Sequence, residues 1–317
     1  MRKRYENLDG VTTDKTFRDF LKWRRDRRHK LKQDTYEIEQ EPHPLVSYLQ
    51  KNREDTTITW VGHSTFLIQM NGLSILTDPE WAKRMGLEKR LTPPGLPLDE
   101  LPNIDVVLIS HSHYDHLHYG TLKRLNGDFQ LLVPIGLKRK MEAKGFSRVA
   151  ELDWWEHYRM GDILFHFVPA QHWSKRTLND TNTSLWGGFV IEGEQTVYFA
   201  GDSGYFRGFR EIGQRYEIDY ALMPIGAYEP EWLLSVQHVN PEQAVRAYLD
   251  VGAKYFIPMH YGTFRLGDET PQEALARLRA EWNRLRLDPA GLYILKIGST
   301  IVWSPSKSES TIYPYTK

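Results

Sequence analysis

The sequence predicts a mixed chain of the α/β or α+β class, folded as a four-layer sandwich of two similar halves. Two observations carry this. From Ile58 onward, short β-branched and aromatic runs broken by Gly, Asn, Asp and Pro alternate with segments of helical period. The chain also echoes itself: "TFLIQMNGLSILTDP" is matched by "GFVIEGEQTVYFAGD", "IDVVLIS" by "IDYALMP", and "LLVPIG" by "FIPMHYG". Two such strand-rich halves, face to face, give two sheets with helices outside them.

The elements follow in order. Residues 1–55 read as a polar, basic N-terminal extension and residues 56–317 as one folded domain. Within the extension, "DKTFRDFLKWRRDRRHKLKQ" predicts a helix with Phe17, Phe20, Leu21 and Trp23 near one side. Asn71-Gly72 between two apolar runs predicts a hairpin, because both positions of a type I′ turn need positive φ. "HLHYGTLKRL" predicts a helix beginning behind a histidine-rich loop. In "VNPEQAVRAYLDVG", Asn240 is placed as N-cap, Pro241 at the first helical position and Gly252 past the end. "PQEALARLRAEWNRL" puts Leu275, Leu278, Trp282 and Leu285 on one helix face.

Composition narrows the chemistry. The 317 residues include no cysteine, which excludes disulfides, a thiolate nucleophile and cysteine-ligated zinc. Formal net charge is zero, so no nucleic-acid partner is expected of the whole chain. Residues 1–32 nevertheless hold twelve Lys or Arg against five acids, a net of +7 that leaves −7 elsewhere. No apolar stretch follows the basic start, and no run reaches the ~18 apolar residues of a membrane span. The expected location is the cytoplasm.

The chemistry concentrates in "VVLISHSHYDHLHYG". An apolar strand ends in His111, and His113, two residues on, points the same way in an extended segment. Asp115 and His116 follow as the chain turns. Three other apolar strands end in a metal-ligand type: "FHFVPAQH" in His172, "TVYFAGD" in Asp202 and "KYFIPMH" in His260. Strand ends on one rim converge. Five histidines and two aspartates suffice for two cations about 3.5–4 Å apart, sharing Asp202 and activating a shared water. His118 fits a helix surface better than the site, and His29, His43, His157 and His166 have no evident partner.

In this order, H-x-H-x-D-H, then His, then Asp in "AGDSG", then His, the chain resembles the metallo-β-lactamase superfamily. It is most similar there to the N-acylphosphatidylethanolamine-hydrolysing phospholipases D, through "TWVGHST", "LTDPEW", "ELDWWE", "QHWSKRT", "FAGDSGY", "PIGAYEP", "QHVNPEQAVR" and "MHYGTF". The resemblance implies an αββα sandwich with two Zn2+ per chain, Mn2+ or Fe2+ being alternatives. One metal falls to His111, His113 and His172, the other to Asp115, His116 and His260, with Asp202 between them. It places Asp78 behind a ligand imidazole, although an Asp closing the turn before Pro79 accounts for that position equally well. His63 either supports the site or packs as an ordinary histidine. His238 would donate to a phosphate oxygen or act as general acid, or simply flank the Asn240 cap.

The implied reaction is phospholipase-D-type hydrolysis of a phospholipid or other phosphodiester, by hydroxide shared between the metals and with Asp115 and His238 as catalytic groups. A lactonase or small-molecule phosphodiesterase on the same site is the alternative. Residues 14–32 are expected either to touch an anionic membrane peripherally or to remain a solvated basic helix. A homodimer is expected by the same resemblance.

Overall fold

The computed structural model describes residues 3–13, 15–27, 38–86, 88–304 and 309–313. Along the chain, helix α1 (Phe17–Arg27) and α2 (Val46–Lys51) precede strands β1 (Thr56–Gly62), β2 (Thr65–Met70) and β3 (Leu73–Thr77). A small hairpin, β4 (Arg84–Met85) with β5 (Glu88–Lys89), leads to β6 (Val106–Leu108), α3 (Tyr119–Leu122), β7 (Gln130–Pro134), α4 (Lys138–Glu142) and β8 (Val149–Leu152). The second half holds β9 (His157–Met160), β10 (Ile163–Pro169), β11 (Gly187–Glu192), β12 (Thr196–Phe199), α5 (Gly208–Arg215) and β13 (Tyr220–Pro224). It continues through α6 (Glu231–Leu234), α7 (Pro241–Val251), β14 (Tyr255–Met259) and α8 (Pro271–Arg284). Strands β15 (Thr300–Ser304) and β16 (Glu309–Tyr313) then return to the first sheet.

The large sheets run β16–β15–β1–β2–β3–β6–β7–β8 and β14–β13–β12–β11–β10–β9. The internal echo is structural. In one half β2 and β3 pair antiparallel, and β6 and β7 add in parallel. In the other β11 and β12 pair antiparallel, and β13 and β14 add in parallel.

Strand period sorts the first sheet into two faces. Ile58, Trp60, Phe66, Ile68, Ile75, Val106, Leu108 and Leu132 join the core shared with the second sheet. Their neighbours Val61, Leu67, Leu76, Val107, Leu131 and Val133 face outward onto Leu49 of α2, Leu122 of α3 and Met141 of α4. The far face of the second sheet is covered by Phe209 and Ile212 of α5, Val245 and Tyr248 of α7, and Leu278 and Trp282 of α8. The layers are therefore α, β, β, α, the metallo-β-lactamase fold.

The local expectations fare unevenly. Asn71 (φ 48°) and Gly72 (φ 77°) close the β2–β3 hairpin. Helix α7 has the Asn240 cap, a capping box with Gln243, Pro241 in its first turn and Gly252 left-handed at its end. On α8, Leu278 and Trp282 are buried, while Leu275 and Leu285 are half-buried. The helix behind the histidine-rich loop is only the single turn α3, and His118 caps it by accepting a hydrogen bond from the Thr121 N–H. In α1 the expected sidedness is loose: Leu21 stays 48% exposed, whereas the Trp23 indole donates to Asp268. Asp14 and residues 28–37, His29 among them, lie outside the described residues. No helix among the described residues is long and apolar enough to cross a membrane.

Candidate metal centre

Strand direction explains how distant residues meet. β1, β3 and β6 run the same way in the first sheet, since β1–β2 and β2–β3 are antiparallel and β3–β6 parallel. By the same logic β10, β12 and β14 run together in the second sheet. Each of the six ends toward one rim, where the chain then supplies His63, Asp78, His111, His172, Asp202 or His260. Asp115 and His116 arrive from the loop after β6.

The seven residues of the implied ligand set come together as two groups. In one, His111 Nε2 lies 2.8 Å from His113 Nδ1, and His172 Nε2 lies 3.2 Å from the same nitrogen. In the other, Asp115 Oδ2 lies 3.2 Å from His116 Nε2 and 3.5 Å from His260 Nε2. Asp202 Oδ2 stands between them, 3.1 Å from His260 Nε2, 3.2 Å from His116 Nε2, 3.8 Å from His172 Nε2 and 3.9 Å from His111 Nε2. Among the described residues, four groups have the spacing to hold a cation: His111, His113 and His172; Asp115, His116 and His260 with His63; His111 and His116 with Asp78; and His172 and Asp202 with His238.

Polar satisfaction supports the fit. His116 Nε2, His260 Nε2 and Asp202 Oδ1 are buried with no hydrogen-bond partner. Native interiors rarely leave such atoms unpaired, so a cluster of them marks a missing partner. Divalent cations suit this nitrogen and oxygen donor set.

Protonation follows the same geometry. Burial holds the imidazole of His113 down at about 3, aided by His172. Burial also takes His172 down to about 4, against the pull of Asp202. His111 is likewise driven well below its ordinary value, first by burial and then by the neighbouring histidines. These three are neutral, the form in which an imidazole takes a metal, so no proton need leave them for a cation to bind. His260 is different: burial lowers it, but Asp202 and Asp115 outweigh burial and raise it to about 9. His116 is raised well above normal because Asp202, Asp115 and Asp78 overcome its burial.

Supporting contacts surround the ligands. Asp78 Oδ2 sits 2.6 Å from His116 Nδ1 and accepts from the Ser110 hydroxyl at 2.5 Å, while Oδ1 accepts from the Ser110 N–H at 2.7 Å. Asp78 thus does more than close a turn. His63 Nε2 lies 3.0 Å from Asp115 Oδ2, and burial with His260 close by lowers its pKa to about 3. His238 is buried beside His172 and His260, its Nδ1 3.9 Å from Asp202 Oδ2. His63, Asp78 and His260 all have left-handed backbone, with φ of 55°, 33° and 62°. Such strain in non-glycine residues concentrates at functional sites. Gly226 is needed for clearance, because a Cβ there would stand 2.0 Å from the His260 carbonyl oxygen.

Two supports have no local sequence signal. Asn7, in the N-terminal extension, accepts from the His172 N–H and donates to the His172 carbonyl, both at 2.9 Å, and its oxygen also accepts from the Trp186 indole. Glu269 accepts from the N–H groups of Ala227 and Glu229, bracing the loop beside His260. Outside the centre, His166 has a partner that the sequence did not suggest: Glu192 on the adjacent strand, at 2.5 Å.

The centre opens into a cavity of about 560 Å³ whose walls include His113, Asp115, Trp173, Arg176, Leu234 and His238. At its edge Tyr114 is 54% exposed and Leu178 89% exposed.

Two groups of His and Asp side chains with the Asp202 carboxylate between them, at the strand-end rim of an αββα sandwich, form a candidate metal site. Residues 74–261 match the beta-lactamase superfamily domain, and the chain belongs to that superfamily. It is similar to "N-acyl-phosphatidylethanolamine-hydrolyzing phospholipase D 1" of Caenorhabditis elegans, 39% identical over 66% of this chain and 64% of that protein. It is also 38% identical to the mitochondrial N-acyl-phosphatidylethanolamine-hydrolyzing phospholipase D of Saccharomyces cerevisiae, over 71% of this chain and 52% of that one. The chain thus spans less than two thirds of either relative. A metallo hydrolase from Ignicoccus hospitalis shares the fold at a TM-score of 0.62 and 22% identity, covering 79% of this chain and 99% of that one.

Proposed function

We propose that this metal-dependent hydrolase is a dinuclear zinc phosphodiesterase. Its substrate is N-acylphosphatidylethanolamine, cleaved in the phospholipase D manner to N-acylethanolamine and phosphatidic acid. The observation that carries the reading is the seven-ligand cluster opening directly into a cavity with both apolar and cationic walls.

His111, His113 and His172 would hold one cation and Asp115, His116 and His260 the other, with Asp202 serving both. When bound, the two cations supply activated water at neutral pH and positive charge for the phosphoryl oxygens. Asp78 keeps the His116 ring turned toward the centre through Nδ1. Asp115 is held well below the usual carboxylate range: burial raises it, but His116, His260 and His63 together prevail, so it stays an anionic ligand. His238 is driven well below the usual histidine value by burial, and its Nδ1 has no hydrogen-bond partner. A neutral imidazole at the cavity wall suits a donor to a phosphate oxygen better than a general acid.

The apolar lining accommodates acyl chains, and the mouth has features of a lipid-facing edge. On α1, Arg18, Lys22, Arg24 and Arg25 are exposed. That helix is tied beside the cavity by Trp23 to Asp268 and by Lys22 over the Trp232 ring. With exposed Leu21, Trp232, Tyr114 and Leu178 nearby, this edge pairs basic with apolar groups, as peripheral contact with anionic lipid requires.

The direct test is product mass spectrometry with N-acylphosphatidylethanolamine micelles, with and without a chelator. Chelator-sensitive release of N-acylethanolamine and phosphatidic acid is expected. A protein that carries two cations per chain yet leaves the lipid intact would shift the reading to lactones or small phosphodiesters. His238→Ala is expected to lower turnover by about 10²-fold, the scale of a lost transition-state donor, with metal content unchanged. Loss of metal in that variant, measured by elemental analysis, would contradict the substrate-side role.

A further inference from the structure

The segment "QHWSKRT" holds His172 of the proposed ligand set and, four residues later, Arg176. Arg176 Nη1 donates to three backbone carbonyls of the metal loop: Ser112 at 2.9 Å, His113 at 3.2 Å and Leu117 at 2.7 Å. Its guanidinium lies over two rings of the same region, 4.2 Å from the Tyr114 centroid and 4.8 Å from that of Tyr119. The backbone of Arg176 is fixed in turn. Its N–H donates to Asp180 Oδ1 at 2.9 Å, Asp180 also binds Lys140, and the Tyr114 hydroxyl donates to the Arg176 carbonyl at 2.7 Å.

We infer that Arg176 is a positioning residue for the metal centre: it clamps the 112–117 loop so that His113, Asp115 and His116 present their ligand atoms together before a cation arrives. The physical reason is local. The ten residues 109–118 between β6 and the single turn α3 form no strand or helix, so their carbonyls lack the regular pairing of either. A planar guanidinium stacked on tyrosines meets several carbonyls from one fixed place, which a flexible ammonium does not. The same clamp ties the loop bearing His172 to the loop bearing the other group's ligands, so the two halves of the sandwich set one geometry.

The inference rests on the two-cation reading, and its test separates the two. Zinc affinity is measured by competition with a chromogenic chelator for the unmodified chain, Arg176→Ala and Arg176→Lys, with no substrate present. If the unmodified chain binds no zinc, the metal reading itself fails. If it binds, Arg176→Ala is expected to lose about 10–100-fold in affinity, as support residues of metal ligands do. Arg176→Lys is expected to fall between, and millimolar methylguanidinium to restore part of the loss in the alanine variant only. Zinc affinity within about twofold of the unmodified chain in a folded Arg176→Ala would overturn the inference. So would, in a steady-state assay of the zinc-loaded variants with N-acylphosphatidylethanolamine, a change confined to KM, which would make Arg176 a substrate contact. Should the alanine variant not fold, unmodified-like affinity in Arg176→Lys, together with an unchanged zinc dissociation rate, would overturn it.

Discussion

Asp202→Ala is expected to leave no more than one cation per chain and to lower turnover by at least about a thousandfold, the scale of losing a principal electrostatic stabiliser. The Asp202 carboxylate faces both ligand groups. Its Oδ2 stands 3.1–3.9 Å from four imidazole nitrogens of the two ligand groups, two from each, and from His238 Nδ1. Removing the carboxylate leaves His116 and His260 without the charge that chiefly raises them against burial. The second cation would then be held only by Asp115 and imidazoles, and the shared geometry would be lost. Elemental analysis alongside initial rates checks this on one sample. Two cations per chain with near-normal rates would remove Asp202 from its shared place.

Asp78→Ala should show the next largest effect, and on two observables at once. The Asp78 carboxylate is fully buried, and its partners are the His116 ring and both the N–H and hydroxyl of Ser110. Deleting it leaves the Ser110 N–H and His116 Nδ1 without this partner and the Ser110 hydroxyl with His111 Nδ1 alone, and breaking a buried charged network of this kind costs about 3–5 kcal/mol. The His116 ring also loses what orients it, so zinc affinity should fall about 10–100-fold. Denaturant unfolding of the metal-free protein reads the first effect and chelator competition the second. A loss of stability with metal affinity intact would confine Asp78 to closing the strand.

These two residues differ in how far the sequence reveals them. Asp202 ends a β-branched and aromatic run at an Ala-Gly-Asp turn, as His111, His172 and His260 end theirs, so topology alone brings them to one rim. The two-halved sandwich was legible for the same reason, since β2–β3–β6–β7 and β11–β12–β13–β14 repeat in apolar pattern as well as in pairing. Asp78 shows only half of its role in sequence, because a strand-ending Asp before proline also closes a turn. Asn7 and Arg176 are not legible at all. Each acts on backbone groups of a distant segment, Asn7 across 165 positions and Arg176 across 59 to 64, and backbone acceptors leave no mark on residue type. The left-handed backbone at His63 and His260 is hidden likewise: histidine enters that region more often than most residues, yet too rarely for its identity to announce it. The short α3 shows the opposite failure, for a helical pattern there yields to a loop already committed to presenting ligands.

The most direct test of the central claim is hydrolysis of N-acylphosphatidylethanolamine in ¹⁸O-labelled water, followed by mass spectrometry of both products. Attack at phosphorus forms a new P–O bond, breaks the bond from phosphorus to the ethanolamide oxygen, and sends a proton to the departing alkoxide. The account therefore predicts one label in phosphatidic acid and none in N-acylethanolamine, with release abolished by chelator. Label in N-acylethanolamine, label in a freed fatty acid, or release indifferent to chelator would contradict it.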